Sequence, residues 1–133
     1  MRQAIIDGIT ALNLGTFTVS QELPWDAAGT PLYQKNLKVF YVDEPDSEES
    51  ALINVLNPTG SLATKVSTVR VYVSVDAKQQ PTNYDSLVEQ VRAVKNTAEI
   101  VAVRSRECDI DRSFTADKLI TEFVFRFTEL KIN

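Results

Sequence analysis

The chain has 133 residues, 44% of them apolar, and a formal charge of −4 from 18 acidic and 14 basic side chains. That length supports one domain, spanning 1–133, whose single core buries roughly two thirds of the unfolded surface, and the charge gives no general reason to bind a nucleic-acid backbone. Cys108 is alone and histidine is absent, which removes internal disulfides, Cys-rich zinc sites and the commonest metal ligand and general base near neutral pH.

No apolar run approaches the roughly 20 residues that span a bilayer, so no membrane association is expected. The opening "MRQAIIDGITALNL" lacks the form of a signal peptide, because Asp7 interrupts it and no small-residue cleavage motif follows. Synthesis in a cytoplasm is the expectation.

The spacing of Ile5, Ile6, Ile9 and Leu12 predicts a helix over about 2–13 with one apolar stripe, weakened by Gly8 and ended near Gly15. "TFTVSQEL" predicts a short strand from Thr16 to Leu23. "PWDAAGTPLY" then breaks it, and Trp25 there either plugs a core edge or forms an exposed contact. "KNLKVFYVDEP" reads as a second strand, apolar on both sides: Leu37, Val39 and Tyr41 alternate with Lys38, Phe40 and Val42. Such a strand is expected inside a sheet or against another subunit. "DEPDSEES", residues 43–50, places five carboxylates among eight residues without a cation, and repulsion predicts a long, flexible acidic loop. The stretch "ALINVLNPTGSLA", carrying Leu52 and Ile53, reads either as a flap that orders against a neighbour or as a hairpin arm on its own domain.

Period two is clearest in "STVRVYVSVDA", where Val69, Val71, Val73 and Val75 form one face and Arg70, Tyr72, Ser74 and Asp76 the other. A helix follows, with Tyr84, Leu87, Val88, Val91 and Val94 inward, a capping oxygen expected from Thr82 or Asn83, and Thr82 and Asp85 at the separation of a capping-box variant. "AEIVAVRSREC" predicts a strand, "DIDRSFTADK" a turn or bulge, and Leu119 to Leu130 a final strand. The order predicts an α+β fold: a single mixed or antiparallel sheet with two helices packed on one face. The valines of 69–75 and the phenylalanines Phe123, Phe125 and Phe127 are expected side by side beneath the helices.

The second sheet face is then either solvated or covered by another subunit. Phe40, Val42, Leu52, Ile53, Tyr72, Val124 and Arg126 are the candidate assembly residues, since interfaces favour Tyr, Phe and Arg near their centres. Chemical motifs are sparse. No glycine-rich phosphate loop, nucleophile elbow, HExxH or CxxC occurs. "DIDRS" lacks the ligand spacing of a calcium loop, and Ser105 and Cys108 have no histidine base. No catalytic residue, metal site or cofactor is expected. Arg104, Arg106 and Arg112 interleave with Glu107, Asp109 and Asp111, which favours ion pairing or protein contact over a nucleic-acid stripe.

The order of these elements resembles the tail terminators, or tail completion proteins, of lambda-like tailed bacteriophages. The likeness runs through the N-terminal helix, "LKVFYV" with its acidic sequel, "VRVYVSVDA", "PTNYDSLVEQVRAV" and "LITEFVFRFTEL". It lies in layout and local pattern, and the stretch from Asp43 to Lys65 departs from compact members. The resemblance implies a non-enzymatic virion protein at the tail–neck junction. It would form a hexameric ring, stay monomeric in isolation if ring closure needs the tail tube, stop polymerisation of the major tail tube protein and present a surface to the head–tail connector. The neighbouring alternatives are a connector or stopper protein of the neck and, from another class, a small carboxylate-dependent enzyme.

Overall fold

Two strands of 15 residues form the spine of the molecule: β4 (Leu62–Asp76) and β6 (Lys118–Ile132), antiparallel and in unbroken register. Their alternation makes the core. Val69 lies opposite Phe125 and Val71 opposite Phe123, and Val69, Val71, Val73, Val75, Phe123, Phe125 and Phe127 are all fully buried on one face. The three phenylalanine rings follow one another at centroid spacings of 6.4 Å. Burying each such side chain is worth about 1.5–3 kcal/mol.

Around this spine the chain runs α1 (Arg2–Ala11), β1 (Thr18–Val19), α2 (Leu32–Lys35), β2 (Val39–Val42), β3 (Asp46–Ile53), β4, α3 (Tyr84–Arg92) with a 3₁₀ turn at Ala93–Asn96, β5 (Val103–Thr115) and β6. The computed structural model describes residues 1–53, 62–96 and 103–132, with backbone alone at 50–53, 62, 103–104 and 130–132. Most of the stretch read as a flap or hairpin arm, and the start of the strand expected from Ala98, lie outside the described residues.

The sheet order is β1-β2-β4-β6-β5, with β3 also paired to β4. β1 joins β2 in parallel and every other pairing is antiparallel, so the sheet is mixed. β2 takes the middle of β4, matching Tyr41 to Tyr72, while β3 takes its first half, matching Asp46 to Thr68.

α1 and α3 cover the apolar face, bringing Ile5, Ile6, Ile9, Tyr84, Val88 and Val91 onto the valines and phenylalanines. Arg2 fixes the start of α1 by donating from Nε to the Val42 carbonyl at 2.9 Å and from Nη2 to the Gln21 carbonyl at 2.7 Å. Three arginines fasten α3 and its 3₁₀ turn to β5: Arg92 Nε donates to the Cys108 carbonyl at 3.0 Å, Arg106 Nη1 to the Asn96 carbonyl at 3.2 Å, and Arg112 pairs with Asp85 at 2.9 Å. Of the two expected capping residues, Asn83 takes the N-cap position, in a left-handed conformation, φ 63°, and makes no side-chain cap bond.

Three sequence expectations are corrected. Residues 46–50 of the acidic segment are strand, because β4 supplies a ladder for the backbone while Asp46, Ser47, Glu48 and Glu49 stay exposed to water. Lys65 opposite Glu49, and Ser67 Oγ at 3.4 Å from Ser47 Oγ, favour that pairing. Residues 109–115 continue β5, and the turn narrows to Ala116 and Asp117. The strand expected from Thr16 to Leu23 shrinks to Thr18 and Val19, with Pro24 and the turn beyond it leading to α2.

Candidate functional site

Period two sorts the charges of β5. Arg106, Cys108, Ile110 and Arg112 share rungs with Phe127, Phe125, Phe123 and Thr121 and face the helices. Glu107, Asp109 and Asp111 share rungs with Arg126, Val124 and Glu122 on the other face. The cations are used inside the domain and the carboxylates are presented outside it.

The same face receives alternate residues from the other strands. Arg70 and Tyr72 come from β4, opposite Val124 and Glu122, Tyr41 from β2, and Asp46 and Glu48 from β3. Between the Glu48–Val66 rung and the Tyr72–Glu122 rung, the strands thus contribute Asp46, Glu48, Glu107, Asp109, Asp111 and Glu122 against Arg70 and Arg126. Arg70 meets Glu122 at 3.7 Å and Arg126 pairs with Asp109. The balance of the face is acidic, and its potential repels polyanions.

One end of this face is roofed by the segment from Pro24 to Asn36. Tyr33 of α2 stacks on Tyr72 with centroids 4.6 Å apart and planes at 15°. Trp25 meets Tyr72 edge-on at 5.3 Å. Asn36 Nδ2 donates to the Tyr41 hydroxyl at 2.9 Å, and Lys118 Nζ donates to the Gln34 carbonyl. Trp25 is therefore part of a roof over the second face, and α2 lies on the side opposite α1 and α3. Burial raises the Tyr72 phenol above its usual range, with Glu122 beside it acting in the same direction. Burial also raises Tyr33.

Of the seven residues expected at an assembly surface, Tyr72, Val124 and Arg126 share the second face. Tyr72 and Val124 are nonetheless buried, under the aromatic roof and among the side chains of the two ion pairs. Phe40 and Val42 are corrected: both are fully buried on the helix face, with Phe40 against Phe17 and Phe123. Tyr41, between them, takes the second face, because a strand places neighbours on opposite sides and the larger apolar set belongs to the core. Leu52 and Ile53 lie on β3, where only backbone is described. Sequence reasoning read Asp109 and Asp111 for ion pairing or protein contact without placing them on the second face, and it did not single out Glu122 or Tyr33. The alternation Glu107-x-Asp109-x-Asp111 was the available signal for the carboxylates, and it speaks only once 109–115 is recognised as strand.

Among the described residues no three His, Cys, Asp or Glu side chains are grouped as metal ligands. A hollow of about 250 Å³ between α1 and β1 is lined by Ile9, Phe17, Phe40 and their neighbours, none of them titratable. Cys108 is buried opposite Phe125 and its thiol is pushed up to about 12 by burial, so it is held as a neutral thiol. No helix among the described residues is long and apolar enough to cross a membrane. Comparison with known proteins finds no matching family profile and no matching curated protein.

Proposed function

We propose that the protein is a non-enzymatic assembly component of a phage tail: a terminator that closes into a ring of six on the tail tube, stops its polymerisation and offers a surface to the head–tail connector. The observation that carries this reading is the acidic second face of the sheet, where six strand carboxylates accompany two guanidiniums. Arranged around an axis, such a face lines a channel that does not grip a passing polyanion. The layout shared with tail terminators supports the same reading.

The mechanism is steric. A ring seated on the last tube layer hides the surface on which the next layer would grow, and its far side becomes the dock for the neck. No substrate is turned over.

Complementation tests the proposal. Purified protein added to terminator-deficient tails should halt tube growth at a fixed length and restore joining to heads, and immunogold should label the head-proximal end of the tail. Label on the head connector of tail-free heads would assign the protein to the neck instead. Unchanged tube lengths together with no label on the particle would reject an assembly role.

A further inference from the structure

In the order β1-β2-β4-β6-β5 the sheet ends in β1 on one side and in β5 on the other. On the β5 edge stands Phe114, 68% exposed, the most exposed of the large apolar side chains among the described residues. A lone exposed ring is ordinary on a protein surface, and it is the position of this one that matters. Phe114 shares a rung with Leu119, which belongs to the core beneath the helices, so its ring stands on the helix side of the sheet. On the β1 edge, also on the helix side, lies the hollow of about 250 Å³ between α1 and β1. Its floor is buried and apolar, from Ile9, Phe17 and Phe40, and its mouth is open, since Thr10, Asn13 and Thr18 are exposed. An apolar cavity of about 150 Å³ already accepts a benzene ring.

The strand register sets ring and hollow at one height. Phe114 pairs with Leu119, and Leu119 with Val75. Next to Val75, the Ser74 carbonyl accepts a bond of 2.8 Å from the Lys38 amide, and Val39 pairs with Thr18 at the rim of the hollow. A second copy set edge to edge, with its helices on the same side, therefore brings its Phe114 level with the hollow of the first.

We propose that Phe114 of one copy seats in the hollow of the next, and that this contact joins copies of the chain head to tail. Knob and hollow lie on different parts of one surface, so the contact is heterologous. Each addition leaves a free knob and a free hollow, and growth stops only where a ring closes. This supplies a subunit contact for the proposed ring, yet it rests on the two sheet edges and holds without a tail.

Sedimentation of the full chain from about 10 µM to about 1 mM tests it. The unmodified protein should associate as its concentration rises, with a Kd on the order of 0.1–1 mM for a contact built on one buried ring. Phe114→Asp puts a charge on the knob and Thr10→Trp blocks the mouth of the hollow, and each should weaken association about tenfold or more. Both positions are exposed, so Tm should stay close to that of the unmodified protein. Mixed in equal amounts, the two variants should pair again and stop at two chains, because one supplies the hollow and the other the knob. An unmodified protein that stays monomeric at about 1 mM, a folded variant that associates undiminished, or a mixture that fails to pair overturns the proposal. Pairing with no effect on terminator-deficient tails supports the contact and counts against the terminator reading alone, whereas completed tails without any pairing count against the contact alone.

Discussion

The Tyr84 hydroxyl lies 2.8 Å from Thr121 Oγ1, and both residues are buried, one at the start of α3 and the other near the start of β6. This is the polar pin between the helix layer and the sheet. Removing one partner strands the other in the core, at a cost of about 1–3 kcal/mol. Tyr84→Phe and Thr121→Val should each destabilise by that amount in denaturant unfolding, and the double variant by clearly less than the sum. Strict additivity would show that the two hydroxyls do not depend on each other.

Neighbours on β6 should respond in opposite ways. Phe125 is fully buried, so Phe125→Ala should cost about 3–5 kcal/mol by lost transfer energy and an unfilled cavity. Arg126 is half-exposed and bound to an exposed Asp109, and surface pairs of this kind contribute about 0–1 kcal/mol. Chemical denaturation of both purified variants measures the difference. If the second face is used in tail assembly, Arg126→Ala should in addition complete fewer terminator-deficient tails at equal folded population.

Cys108 should be inert to iodoacetamide in the native protein. Its thiol is buried and held neutral by that burial, and the thiolate is the reactive species. Labelling should become rapid on adding denaturant and follow the unfolding curve. Native labelling as fast as a free thiol would place Cys108 outside the core.

Alkali should unfold the domain cooperatively. Burial raises the phenols of Tyr33, Tyr72 and Tyr84 above the ordinary value of 10.0. The folded state therefore keeps them neutral where the unfolded chain ionises, and the linked stability is fully present below pH 10.0 and falls as pH rises beyond it. Tyrosinate absorbance and loss of circular dichroism should rise together in one transition. Ionisation of these three side chains well before any loss of structure would count against their burial.

The alternation of Val69, Val71, Val73 and Val75, and of Phe123, Phe125 and Phe127, was enough to identify two half-buried strands and the faces they turn to the core. The stripes of the two longer helices were equally legible, because a repeat of 3.6 or 2 is written locally wherever one side of an element is apolar. Phe40 and Val42 were not legible. With apolar residues on both sides, "LKVFYV" has no pattern that says which side is inward, and only the Tyr41–Tyr72 register decides it. Nor could composition show that "DEPDSEES" enters a ladder, since Asp46 to Ser50 depend on a partner, β4, whose paired residues run from Thr68 back to Thr64, 22 to 14 positions further along the chain. The aromatic roof and the Asp111–Glu122 opposition arise in the same way. Tyr33 and Tyr72 come from distant parts of the chain, and Asp111 and Glu122, though closer in sequence, share a rung only once the β5–β6 hairpin has taken its register.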